Sequence, residues 1–207
     1  MRIPNSEHEA RGWRIRAIVP DFTLEDVWAL PAHGRAEDFG ELVSMASSLD
    51  PANSDSDAAR ALWRLRDQLG RWLDLGRIAA PAGSDGGGAG ALPIPGTDES
   101  SLRGRLPADL RDTAADVDFG SLPFVPLYRT EDEFAAEVSN RTVHALMHLG
   151  WVDEGNGSFR GEMAVYVKPR GVFGKAYMAA IRPFRLWIVY PPLMREFERA
   201  WKARVRE

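Results

Sequence analysis

The sequence predicts an α+β domain in which a curved antiparallel sheet wraps around a long, proline-bent C-terminal helix. Three observations carry this reading. Ser158–Lys168 alternates, with Phe159, Met163, Val165 and Val167 on one side and Arg160, Glu162, Tyr166 and Lys168 on the other, which is the period of a strand. After Pro169-Arg170-Gly171 the period becomes helical. Phe173, Tyr177, Ile181, Phe184, Trp187, Ile188, Met194, Trp201 and Val205 then share one stripe along Gly171–Val205. So broad a stripe needs an apolar surface to cover it, and the strands before it supply one. Pro183, Pro191 and Pro192 each remove a backbone donor, which predicts a kink or break in that helix.

With 207 residues, 44% hydrophobic and 27% charged, the chain fits one domain spanning 1–207. It has no cysteine, which excludes disulfides and thiolate chemistry. Met1–Glu7 has no apolar signal-peptide core. The longest uncharged apolar run in the last helix, Leu186–Met194, is about half of a membrane span. A cytoplasmic protein is expected. The net charge of −4 is unevenly spread, for ten Lys/Arg against three Glu leave +7 from Lys168 onward and −11 on the rest. A basic, aromatic-rich helix suits nucleic acid or a membrane surface. It equally suits a buried stripe flanked by arginines whose stems cover apolar surface, and no nucleic-acid partner is expected.

Taken in order, residues 1–12 are polar and read as loose. Trp13, Ile15, Ala17 and Val19 alternate and predict a first strand closed by Pro20. Thr23-Leu24-Glu25-Asp26 has the cap and acids of a helix start, so a short helix is expected from Thr23 to Leu30 before Pro31. Phe39, Leu42, Val43 and Ala46 place a helix in Glu37–Ser48, and Ala58 through Leu73 place another in Asp57–Leu75. Ala79–Ser101, rich in glycine and proline, reads as a flexible surface loop, with Leu92-Pro93-Ile94-Pro95 a candidate lid. Its glycine run lacks the preceding strand and the Lys-Ser/Thr ending of a phosphate cradle. Pro107–Ala115 can add a helical turn. Val117–Phe119, Phe124–Arg129, Glu133–Ser139, Thr142–Trp151 and Ser158–Lys168 read as strands whose short links favour an antiparallel meander.

Register can be proposed from the apolar face. With Asn140-Arg141 as a hairpin turn, Glu137 pairs with His144 and Glu133 with His148. With a Glu154-Gly155-Asn156 loop, Met147 faces Met163, His148 faces Glu162 and His144 faces Tyr166. The rows are then Glu133–His148–Glu162 and Glu137–His144–Tyr166. A histidine between carboxylates can bind a divalent metal or work as an acid–base pair. It can equally be one rung in a ladder of opposite charges on a solvated face. No motif with metal-ligand spacing, nucleophile elbow or triad accompanies the rows, and neither a metal nor a cofactor is expected.

Thr142–Val152, Met163–Gly171, Gly174–Met178, Ile181–Arg185 and Val189–Pro191, with Pro20–Phe22 and Asp26–Pro31, resemble an uncharacterised bacterial family of unknown function. That family is similar to the START/polyketide-cyclase (SRPBCC) superfamily. The resemblance implies a helix-grip fold over an apolar cavity, without an assigned activity. A small apolar or amphipathic ligand between sheet and C-terminal helix is the leading expectation. Phe134, Ala136, Met147, Met163, Val165, Tyr177, Ile181, Phe184 and Trp187 are the candidate lining residues. The alternatives are a cyclase- or hydrolase-type enzyme using His144 or His148, and a peripheral membrane or partner-binding module using the basic helix.

Overall fold

A computed structural model describes residues 1–48, 92–120, 122–184, 186 and 190–204. Six strands form one curved antiparallel sheet: β1 (Arg2–Ile3), β2 (Thr23–Gly34), β3 (Val125–Arg129), β4 (Glu133–Ser139), β5 (Val143–Gly155) and β6 (Ser158–Pro169). Their spatial order is β1-β2-β6-β5-β4-β3. The helices are α1 (Asn5–Glu9), α2 (Ile15–Ile18), α3 (Phe39–Ser48), α4 (Gly171–Phe184) and α5 (Tyr190–Arg204). The expected α+β class therefore holds, with β4 at its predicted limits and β5 and β6 within a few residues of theirs.

The register differs from the expected one by two residues in both hairpins. Ser139 pairs with His144 and Ala136 with Met147, while Met147 pairs with Val165 and Leu149 with Met163. The turns set this. The Asn140 side-chain oxygen accepts from the amides of Thr142 and Val143, at 2.8 and 2.9 Å, and opens a wider connection. The second hairpin turns on Asn156-Gly157, both at positive φ (57° and 74°), the conformation a two-residue type I′ turn requires.

The first third of the chain departs most from expectation. Trp13–Val19 is not a strand; Ile15–Ile18 forms α2. Ile15, Ile18, Val19 and Phe22 are buried while Ala17 is exposed, so helical spacing wins over alternation. Thr23–Leu30 is not a helix but most of β2, paired along β6. Pro31 falls where the β2–β6 register shifts between Ala29 and His33, a bulge that tolerates its missing N–H. Residues 1–12 are not loose, for they hold β1 and α1 with Ile3 and His8 buried. Val117–Phe119 joins no strand.

The helix Asp57–Leu75, and Ala79–Ala91 of the expected loop, lie outside the described residues. The part of that loop that is described is not a surface lid. Ile94 is fully buried in the core, and the Arg170 guanidinium donates to the carbonyls of Leu92 and Pro93. The single long C-terminal helix is replaced by two α-helices of 14 and 15 residues. Pro191 falls in the first turn of α5, where the N–H has no intrahelical partner to lose, while Pro183 falls in the last turn of α4, where it removes a donor one residue before the helix ends.

The two faces of the sheet carry separate cores. On one, α3 and α5 pack Phe39, Leu42, Phe197 and Trp201 against Trp28, Leu30, Phe134, Leu149 and Met163. Beside them α4 sets Met178 against Val143 and Val167. Two indole N–H groups orient this layer, Trp201 donating to the His33 carbonyl at 3.0 Å and Trp151 to that of Arg35 at 2.8 Å. On the other face, residues 1–22 and 94–110 bring Trp13, Ile15, Ile18, Phe22, Ile94, Leu102 and Leu106 onto Leu127, Ala135, Leu146 and Ala164.

Candidate functional site

The charged rows lie on this second face, beneath the N-terminal segment. Shifting the register by two keeps every residue on its own face, so Glu133 still meets His148 and Glu137 still meets His144, diagonally rather than directly opposite, whereas Glu162 and Tyr166 take His8 as their partner instead of His148 and His144. The His148 Nε2 is 3.2 Å from a Glu133 oxygen, and the His144 Nε2 is 2.8 Å from Glu137. His148 now sits directly opposite Ala135 and Ala164.

The third column is built differently. Glu162 takes its hydrogen bond from His8 on α1, Nδ1 to Oε1 at 2.6 Å, and the Tyr166 hydroxyl lies 2.8 Å from the other ring nitrogen, Nε2. An ionised carboxylate only accepts, so Nδ1 carries the proton and a neutral His8 accepts from Tyr166 at Nε2. The rings of His8 and His148 meet edge to face at 5.2 Å, with Trp13 over His148 at 5.4 Å. Gly150 lies under Trp13, where a Cβ would come within 2.8 Å of the indole.

Each carboxylate of the rows holds down a different piece of the covering chain. Glu133 accepts from the amides of Arg14 and Ile15 at the start of α2, and from the Tyr128 hydroxyl at 2.9 Å. Glu137 accepts from the Leu102 amide at 3.0 Å and from the Ser101 hydroxyl. Glu162 holds His8, with the Arg11 and Arg160 guanidinium groups 3.6 and 3.8 Å from its other oxygen. The ladder on a solvated face is thus corrected, since His8, His148 and Glu162 are 0% exposed and His144, Glu133 and Glu137 nearly so. The cover over Glu133 and Glu162 comes from residues more than a hundred positions away, and that over Glu137 from about 35 positions away, both beyond the reach of any local pattern.

Burial decides the electrostatics. Desolvation pushes the His148 imidazole below its ordinary value, against the raising effect of its bond to Glu133. Burial alone would raise the Glu133 carboxyl, but donation from His148, the Arg14 amide and Tyr128 holds it below its usual range. Both Tyr128 and Tyr166 are raised, first by burial. His148 is accordingly neutral, with Nε2–H donating to Glu133. Its Nδ1 and the Trp13 indole N–H are both buried without a partner. Among the described residues no set of three His, Asp or Glu side chains is placed to hold a metal ion.

The expected lining residues lie on the opposite face. Phe134, Ala136 and Met163 are buried in the core under α3 and α5. Met147, Val165, Tyr177 and Ile181 are only half-buried, at the junction of β5 and β6 with α4. Trp187 and the side chain of Phe184 lie outside the described residues. A separate open depression of about 200 Å³ is lined by Arg103, Leu106, Arg111 and Pro126 and includes none of the expected lining residues or row residues.

Sequence reasoning missed His8, Trp13 and Tyr128. Nothing in Asn5–Glu9 marks His8 as a core residue, and the register shift in β3 between Pro126 and Tyr128 puts Leu127 and Tyr128 in the same core, where plain alternation would separate them. It also missed Asp26, fully buried under α5, which accepts from the Tyr190 hydroxyl at 3.3 Å while the Trp28 and Tyr190 rings stack at 4.5 Å.

Residues 18–192 match the family model described as a protein of unknown function, DUF2867. The chain belongs to this family. The span matched to DUF2867 takes in β2–β6 and all three row carboxylates, whereas His8, Arg14 and Ile15 precede it. No curated protein and no solved structure matches the chain.

Proposed function

We propose that this DUF2867 domain binds a small apolar or amphipathic molecule on the α4–α5 side of its sheet, at the seam lined by Met147, Val165, Tyr177 and Ile181. The observation that carries the reading is their half-burial. Met147 packs against the cluster under α3 and α5, and Val165, Tyr177 and Ile181 against the one under α4, so the four join two apolar clusters without being fully buried by either. The similarity of the family that the β5–β6 segments resemble to the helix-grip superfamily points the same way. The histidine–carboxylate pairs lie buried on the other face, so this reading does not draw on them.

Native mass spectrometry of the purified protein should find a co-purified small molecule, or the protein should bind an apolar fluorescent probe with saturation. Val165→Trp fills the seam and should weaken probe binding about tenfold or more, by occupying volume the ligand needs. A protein that carries nothing and takes up no probe sinks the proposal. So does a Val165→Trp variant that melts like the original chain and binds the probe equally well.

A further inference from the structure

Helix α4 is apolar on both of its faces. Its inner face packs Tyr177, Met178 and Ile181 at the β5–β6 edge, close enough that a Cβ on Gly174 would collide with the Thr142 carbonyl. On the outer face Val172, Ala176, Ala179 and Pro183 follow one another at spacings of four, three and four, and all are exposed. Val172 is 85% exposed and Phe173 beside it 59%. Isolated apolar side chains on a surface need no explanation, but a whole helical face of them does.

The charges around this face have one sign. Between Lys168 and Arg195 the chain has six Lys/Arg and not one Asp or Glu, although its net charge is −4. Lys168 is engaged by Asp21, and Arg170 by backbone carbonyls. Lys175 and Arg182 are exposed and one heptad apart, along a single border of the apolar strip.

We propose that the outer face of α4 docks on a bilayer surface containing anionic lipid. Val172 and Phe173 would enter the acyl boundary, and the stems of Lys175 and Arg182 would run up to lipid phosphates. Acidic residues, which would be repelled by such a surface, are missing from this stretch and abundant elsewhere. The alanine-rich centre supplies little insertion energy, so the attachment needs both signals and is reversible.

Sedimentation of the full chain with vesicles tests this. Phosphatidylcholine vesicles carrying roughly 30% phosphatidylglycerol should retain the protein at about 50 mM salt and release it at about 500 mM, while neutral vesicles retain little at either. Val172→Ser/Phe173→Ser and Lys175→Glu/Arg182→Glu should each lower retention about tenfold or more. Neither pair should lower the melting temperature by more than about a degree or two, because these side chains are mostly exposed. Equal retention by neutral and anionic vesicles, or no retention, overturns the proposal. A dimer that the serine pair converts to monomer, without vesicle binding, assigns the face to a second copy of the chain and also overturns it. None of these outcomes depends on whether the seam binds a small molecule.

Discussion

Glu133 receives four donors: the His148 ring, the Tyr128 hydroxyl and the amides of Arg14 and Ile15. Removing a buried carboxylate leaves its donors unsatisfied in a low-dielectric site, so Glu133→Ala should cost about 3–5 kcal/mol in urea unfolding. A loss under about 1 kcal/mol would show that water replaces the carboxylate and that the site is open. The same residues set the acid sensitivity. His148 in the folded chain sits below its ordinary value of 6.5, and Glu133 below 4.5. Both therefore bind protons more readily when unfolded, so their contribution is complete above about 6.5 and erodes as pH falls. The urea midpoint should drop between pH 7.5 and 5, with a further drop towards pH 4. His148→Gln should flatten the upper part of that curve and leave the lower part. A midpoint constant from pH 7.5 to 5 contradicts the burial of His148.

At the scale of elements, α5 is held by Trp201, which is buried against Trp151 and donates to the His33 carbonyl. Its neighbour Arg204 stacks on the indole at 3.9 Å and reaches Asp38 at 3.2 Å. Trp201→Ala should cost about 3–5 kcal/mol, read as loss of thermal stability. For α4 the sensitive position is Gly174, where any side chain pushes the helix off the Thr142 carbonyl. Gly174→Ala should raise hydrogen exchange across α4 without changing the exchange of β4. Strands were legible in the sequence wherever apolar and polar residues alternate, as in β4, β5 and β6, although both of their faces are buried. Their register was not, because a slip of two residues preserves the same faces. Only the turns break that tie, and the Asn156-Gly157 dipeptide was the signal that could have done so. Thr23–Leu30 misled in another way. Its capping pattern describes how a helix would begin, while pairing with β6 decides that none does.

For the whole molecule, the covering segment is as much core as the sheet. Asp21 shows how it is fastened, bonded to Arg105 at 2.6 Å and Lys168 at 2.5 Å, which together hold its carboxyl at about 2 against the effect of burial. Deleting residues 1–22 uncovers Leu146 and Ala164 and strips the covering partners from Glu133 and Glu162 at once. The shortened chain should aggregate or bind an apolar dye with a molten near-ultraviolet signal. A monodisperse product with native near-ultraviolet dichroism would mean that the segment only rests on the sheet. The candidate lining residues were legible as an apolar face, but their division into packed and half-buried members was not. That division depends on where α4 and α5 separate, which three prolines left open.

The bond from His8 to Glu162 spans 154 positions of chain. At about 5–20 residues per second, a ribosome makes the second partner roughly 8–30 s after the first. Over that interval Trp13, Ile15 and Ile18 have been synthesised and β6, the strand whose Glu162 and Tyr166 receive His8, has not. The opening segment must wait, exposed, for the strand that will receive it. The domain therefore matures from its end back to its beginning, and its newborn N-terminus is the stretch that a chaperone has most time to meet.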